Sequence, residues 1–251
     1  MARESKPSSL FLIGALMAQL LLVDDASALA ELFAGAVEAK LGHQCAIAVS
    51  LADVDERLKQ LDSLDLAIVD LSFPQENGSG LDALAEIHRK CPLAKLAIIT
   101  QGDEWVAELL RDAWELLPIS TVISKSAPLA YQLGAIACVI DHGSAPVDPA
   151  IQPFLPALRS GYRNAARFGA LVQHAGHAKL WRALLATREP TYKQVADLSG
   201  LRLNTVKNYR AQLLPELAIH GLQDPTLRQM RDFAARCRPF LLPFLEARDI
   251  A

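Results

Sequence analysis

The chain has 251 residues, 51% of them hydrophobic, and a formal net charge of −3. That length is enough for two modest domains with a core each, and that apolar fraction excludes a disordered chain. Four scattered cysteines (Cys45, Cys91, Cys138 and Cys237), with no CxxC and no metal-like spacing, exclude a disulfide scaffold and suit free thiols in a reducing cytosol.

The small net charge hides an asymmetry. Residues 1–156 hold 10 Lys+Arg and 21 Asp+Glu, a net of −11, whereas residues 157–251 hold 15 and 7, a net of +8. An acidic front half and a basic back half suggest a nucleic-acid-binding region behind something else, against the plainer alternative of mere surface composition.

In chain order, residues 1–19 are read as an N-terminal extension. Its apolar run at 10–18 has the outline of a signal peptide but is too short for a membrane span. It leads directly into LLLVDD (20–25), which suits the first strand of a cytosolic domain, with Met17 as an alternative start. The Ala- and Leu-rich stretch 27–40 is helical in character, and Cys45–Val49 is a second strand candidate. Residues 52–62 form an amphipathic helix. Leu66–Asp70 is an uninterrupted apolar run ending in a carboxylate, the pattern of a strand buried on both faces. A Gly-containing loop (76–80) follows, then a helix at 81–90, a strand at 95–100, a helix at 103–116, a strand at 121–125 and a helix at 127–141. Strict alternation with short connections predicts a doubly wound five-stranded parallel sheet of flavodoxin-like order 2-1-3-4-5.

In such a sheet the carboxyl ends of strands 1, 3, 4 and 5 meet at one edge, bringing together Asp24, Asp25, Asp70, Thr100 and Lys125. Clustered carboxylates repel one another, and a hard, oxygen-preferring cation such as Mg²⁺ relieves that cost. The same ion would screen an incoming phosphoryl group, so that Asp70 can attack it and form an acyl phosphate. Lys125 supplies a point charge for the phosphoryl oxygens, and the Thr100 hydroxyl a hydrogen bond. Taken singly, each residue has a plainer use: Asp24 and Asp25 as a helix cap, Thr100 as a strand terminus, Lys125 as a solvated charge.

Together these residues carry a resemblance. Residues 20–141 resemble the receiver domain of two-component response regulators: an acidic pair after the first strand (Asp24, Asp25), a phosphoacceptor Asp70 followed four residues on by Pro74, Thr100 ending the fourth strand and Lys125 ending the fifth. The resemblance implies phosphorylation of Asp70 by a sensor histidine kinase, with Mg²⁺ at Asp24, Asp25 and Asp70. Two departures stand out. Gly78 has the spacing of the family's usual single glycine, yet Leu81 follows only after Ser79 and Gly80, so the loop is two residues longer. The family's aromatic residue three before the Lys is Val122 here. A regulator of the same architecture controlled by protein contacts instead of phosphorylation therefore stays open.

Residues 142–156, with four prolines and a Gly-Ser step, have a linker signature. The second domain is placed at 157–251, with a helix expected from Leu155 to about Val172. Within 192–214, Ala196, Gly200, Val206 and Tyr209 meet the spacing of a helix-turn-helix: a small residue at the helix crossing, a glycine in the turn and apolar anchors on the second helix. A generic helical hairpin is the alternative. Residues 180–222 partly resemble the DNA-binding domain of the LuxR/FixJ type, with Thr205-Val206-Lys207 matching best. If the helix from Leu203 to Leu214 enters the major groove, Asn204, Thr205, Lys207, Asn208 and Arg210 are its outward side chains, and Lys193 and Arg202 are candidate phosphate contacts.

Residues 223–251 suggest one helix to about Cys237 and then a Pro-bounded apolar segment, Phe240 to Leu245, which either packs back on the second domain or mediates dimers. The combined expectation is a cytoplasmic response regulator and transcription factor, not an enzyme, acting as a homodimer on a double-stranded DNA operator with no membrane contact. No Walker loop, HExxH or GxSxG supports an independent enzyme.

Overall fold

The computed structural model describes residues 17–76, 78–157, 159 and 163–248. The apolar run at 10–16 lies outside the described residues. Five parallel strands, β1 (Gln19–Val23), β2 (Gln44–Ala48), β3 (Leu66–Asp70), β4 (Lys95–Thr100) and β5 (Ile119–Ser124), pair in the order β2-β1-β3-β4-β5. The helices between and after them are α1 (Ser27–Leu41), α2 (Leu51–Gln60), α3 (Gly80–Lys90), α4 (Ala107–Leu116) and α5 (Leu129–His142). This is the doubly wound, flavodoxin-like order expected from the alternation of strands and helices.

The two faces of the sheet follow from the period-2 alternation of strand side chains. Leu20, Leu22, Ile68, Ala97, Ile99 and Ile123 point to α1 and α5. Leu21, Val23, Ala67, Val69, Ile98 and Val122 point to α2, α3 and α4. β3 is buried at every position, as its uninterrupted apolar run demands.

The rest of the chain is helical: α6 (Ala175–Leu185), α7 (Tyr192–Ser199), α8 (Leu203–Ile219), α9 (Leu227–Arg236) and α10 (Arg238–Glu246). Thr191 and Thr226 start α7 and α9 through capping boxes with Gln194 and Gln229. The α7–α8 turn passes through Gly200 at φ 67°, the left-handed region in which a side chain is costly. Trp181, Phe168 and Phe233 fill the centre of this unit. They belong to the same apolar cluster as the α2–α4 face of the sheet, so the two units share one continuous core.

Two local expectations differ from the structure, and a third takes a particular form. The stretch 155–172 was expected to be helical, but among its described residues only a 3₁₀ segment at Ala165–Leu171 forms; Asn164 caps it, and Gly169 and the mixed polar sequence give no sustained helical face. α8 runs five residues past Leu214, through Pro215. Its ring costs a single backbone donor, and Leu213 and Leu217, both buried, anchor the turns on either side of it. The Pro-rich stretch 142–156, read as a linker, packs against the first unit. Ala145 N–H donates to Ser120 O (3.1 Å), Asp148 N–H to Val122 O (2.9 Å) and Thr121 Oγ1 to Pro146 O (2.9 Å), so the segment lies along the outer edge of β5. Ile151 and Leu155 are buried in the shared core.

Candidate functional site

The carboxyl edge of the sheet gathers the five residues singled out there. Asp24 follows β1 directly, Asp70 ends β3, Thr100 ends β4 and Lys125 follows β5. Lys125 Nζ lies 2.8 Å from Asp70 Oδ2 and 2.7 Å from Asp24 Oδ2, bridging the two carboxylates. Asp24 and Asp70 are buried and Asp25 is exposed, yet a carboxylate oxygen from each lies within 4.8 Å of the others.

The electrostatics follow from that crowding. Burial pushes the Asp70 carboxyl above the usual carboxylate range; Lys125 pulls it back down in part and the Asp24 charge adds to the rise. Burial also opposes the Lys125 charge, but its hydrogen bonds to Asp24 and Asp70 outweigh that and raise its pKa. A site with two buried carboxylates and one lysine retains uncompensated negative charge, and three oxygen donors this close suit a small hard cation. Thr100 is buried; its Oγ1 accepts from Gly102 N–H at 3.3 Å and keeps its own proton to donate. Lys125 N–H donates to Thr100 O at 2.8 Å, fixing the ends of β4 and β5 together.

Three supporting residues escaped sequence reasoning. Gln132, nearly buried at the start of α5, donates from Nε2 to the carbonyls of Ser124 (3.2 Å), Lys125 (3.2 Å) and Ala127 (2.9 Å), and so holds the loop that presents Lys125. Nothing in its spacing marks it. Glu76 caps α2 from the loop after Asp70, accepting from Leu51 N–H at 3.0 and 3.1 Å. The third is Gly80. A Cβ there would fall on the Asp70 carbonyl, and Gly80 N–H donates to Leu71 O at 3.1 Å. Gly78 has the expected spacing, yet the close backbone approach is made by Gly80, because the lengthened loop moves the start of α3 by two residues. Val122 is fully buried on the α2–α4 face of the sheet, and its carbonyl accepts from Asp148 N–H (2.9 Å) at the outer edge of β5.

The residues singled out on the helical unit divide. Asn204, Lys207, Asn208, Lys193 and Arg202 are exposed and Thr205 is half-buried. Lys207 Nζ sits 5.7 Å from the Tyr192 ring centroid. Arg210 does not join them: its Nε donates to Pro225 O (2.9 Å) and its Nη2 to Asp224 Oδ1 (2.6 Å). The reason is angular. Arg210 follows buried Val206 by four residues, about 40° around the helix, which places it toward the inner face. Tyr209 packs against the rings of His174 and His177.

The N-terminal unit is similar in fold to receiver domains of solved structure. A LuxR-family two-component response regulator from Aurantimonas sp. SI85-9A1 is 24% identical, covering 55% of this chain and 94% of that one, with a TM-score of 0.46. The isolated REC domain of RcsB from Salmonella enterica serovar Typhimurium, in the presence of phosphomimetic BeF3-, is 17% identical over 56% of this chain and 99% of that one, with a TM-score of 0.46. A response regulator receiver domain protein from Clostridium thermocellum is 23% identical over 51% and 97%, with a TM-score of 0.43. No protein-family model and no curated protein matches the chain. Among the described residues, no helix is long and apolar enough to cross a membrane.

Proposed function

We propose that the chain is a two-component response regulator: Asp70 accepts a phosphoryl group from a sensor histidine kinase, and the α7–α8 helix-turn-helix binds double-stranded DNA. The observation that carries this is the Lys125 bridge between Asp24 and Asp70 at the carboxyl edge of the sheet, in a chain that also presents the exposed basic start of α8.

An Asp70 carboxylate oxygen attacks phosphorus, the bond from phosphorus to the donor nitrogen or oxygen breaks, and the leaving group keeps that electron pair, leaving an acyl phosphate on Asp70. Lys125 compensates charge on the phosphoryl oxygens, and the Thr100 hydroxyl donates to one of them. Asp24, Asp25 and Asp70 would hold Mg²⁺, which supplies charge neutralisation for the incoming phosphoryl group. Beside the site, Leu29, Leu32 and Leu129 stand exposed around a 220 Å³ hollow that Asp24 and Lys125 also line, an apolar seat suited to the phosphodonor protein. The four free thiols fit a cytoplasmic setting, and a homodimer would suit a two-half-site operator. The second reading is a regulator of the same architecture driven by protein contacts. Val122 favours it, since no aromatic ring in β5 can follow Thr100 on phosphorylation.

The test is intact-mass analysis after incubation with Mg²⁺ and acetyl phosphate, for wild type and Asp70→Asn, alongside selection from a pool of random duplexes and titration of the enriched sequence. One phosphate adduct, absent in the variant, with altered DNA affinity supports the proposal. No adduct in a folded chain that still selects DNA supports the contact-driven reading. Catalytic turnover of a phosphate ester would reverse the expectation that the chain is not an enzyme.

A further inference from the structure

The contact between the two units is built around one acid. Asp112 of α4 is buried and accepts from three groups of the helical unit: Arg163 Nη2 at Oδ1, Arg236 Nε at Oδ2 (2.6 Å) and Cys237 Sγ at Oδ2 (3.5 Å). Glu115 takes the other end of Arg163 (2.7 Å), and Glu108 the other end of Arg236 (2.5 Å). Nearby, Arg159 lies 3.9 Å over the Trp114 ring and donates to Ile119 O at 2.5 Å. A second seat lies on α3, where α10 faces Asp82 with Arg238 and buries Leu241 and Leu245 in the shared core.

Two further features bear on what this contact does. The outer edge of β5 is already taken by residues 145–148, so it is closed to other partners. The start of α8 points away from the contact: Asn204, Lys207 and Asn208 are exposed with both units in place. The helix proposed to bind DNA therefore needs no release from the first unit.

Resting on the regulator reading above, we propose that Asp112 pins the helical unit to the α4 face and that phosphoryl transfer to Asp70 does not free it. The chain acts on DNA as one body, and any response to phosphorylation is a change in how α8 is presented, through α3 and α4, or in the pairing of two copies. The physical ground is the cost of opening. Separation would strand two arginines and an aspartate away from their partners and expose a continuous apolar core.

The experiment uses the full chain. Hydrogen–deuterium exchange is followed in peptides covering 107–116 and 227–246, with the radius of gyration from small-angle X-ray scattering, for wild type, Asp112→Asn and Arg236→Gln. Wild type is measured with and without acetyl phosphate and Mg²⁺, with the adduct checked by intact mass. Exchange in these peptides about tenfold or more faster in Asp112→Asn, with an increased radius and the 95–100 strand still protected, supports the pin. If that variant does not fold, the same rise in Arg236→Gln carries the result. Both variants exchanging like wild type would overturn the pin. A phosphorylated wild type that opens as the variants do would overturn the claim that phosphorylation leaves the unit seated. Failure to form any adduct would overturn the phosphorylation-driven reading and leave the contact-driven one, whereas the variants would still decide the pin.

Discussion

At Gly80 a single hydrogen atom sets the shape of the loop that follows Asp70. The Asp70 carbonyl occupies the space a Cβ would need, and backbone cannot swing aside as a side chain can. Gly80→Ala should therefore destabilise the chain by about 2 kcal/mol or more, measured by urea denaturation, and disturb adduct formation at Asp70. Gly78→Ala meets the end of the Leu51 side chain instead and should cost less. His220 gives a second residue-scale prediction. It closes α8 against the rings of Phe168 and Phe233, and neither ring nitrogen has a hydrogen-bond partner among the described residues. Burial, aided by the charges of Arg163 and Arg167, lowers its pKa from 6.5 to about 4, although Glu216 and Asp112 pull the other way. The unfolded chain then binds the proton more readily below pH 6.5, so stability present above that pH is lost as pH falls toward 4 and levels off below it. The size is about 3 kcal/mol. His220→Phe should flatten this part of the stability profile, read as melting temperature against pH; an unchanged slope would show that other groups carry it.

At the scale of elements, α8 has two parts with different tasks. Its first turns present Asn204, Lys207 and Asn208 to solvent, while Val206, Leu213 and Leu217 anchor it inward. Lys207→Ala should weaken binding to a selected duplex by about 1–3 kcal/mol with no change in melting temperature. Arg210→Ala should do the reverse. It removes the tie to Asp224 and the Pro225 carbonyl that connects α8 with the start of α9, so the cost appears in stability and reaches DNA affinity only indirectly. Equal losses of affinity with unchanged stability in both variants would return Arg210 to the DNA face. The same scale explains the 142–156 segment. Residues 144–148 run extended before the chain turns into a 3₁₀ helix at Gln152–Phe154, and an extended chain with free N–H and C=O groups can add to a sheet edge; Ala145 and Asp148 donate to β5 and the Pro146 carbonyl accepts from Thr121 Oγ1.

For the whole molecule, the shared core has a consequence for unfolding. Apolar contacts run without a break from the α2–α4 face through α10 to Trp181 and Phe233. Two units joined this way should unfold in one transition, with tryptophan fluorescence and far-UV circular dichroism coinciding and a denaturant slope fitting the full chain. Two separated transitions would show that the joint is weaker than its burial implies. The acidic and basic halves also meet here: three carboxylates of α4 (Glu108, Asp112 and Glu115) face Arg163 and Arg236, so part of the charge asymmetry is satisfied within the chain.

The sheet and the cluster at its carboxyl edge were legible in the sequence because both rest on local rules. Strand burial is written as apolar runs and alternation, and in a parallel sheet strand ends fall at one edge whatever the helices do. Asp24, Asp70, Thr100 and Lys125 thus came together from chain order alone, as did the glycine turn before α8. What tertiary structure decided is every contact between residues far apart in the chain that carry no periodic signal. Arg236 and Asp112 lie 124 positions apart, and no spacing rule couples them. Arg210 was misplaced for the same reason, and the packing of residues 144–148 along β5 carries no local signal either. A polar side chain or an extended strand of backbone is neutral about its partner until the fold brings one within hydrogen-bond reach, and here the docking of the helical unit on α4 and the open edge of β5 supplied partners that local sequence could not name.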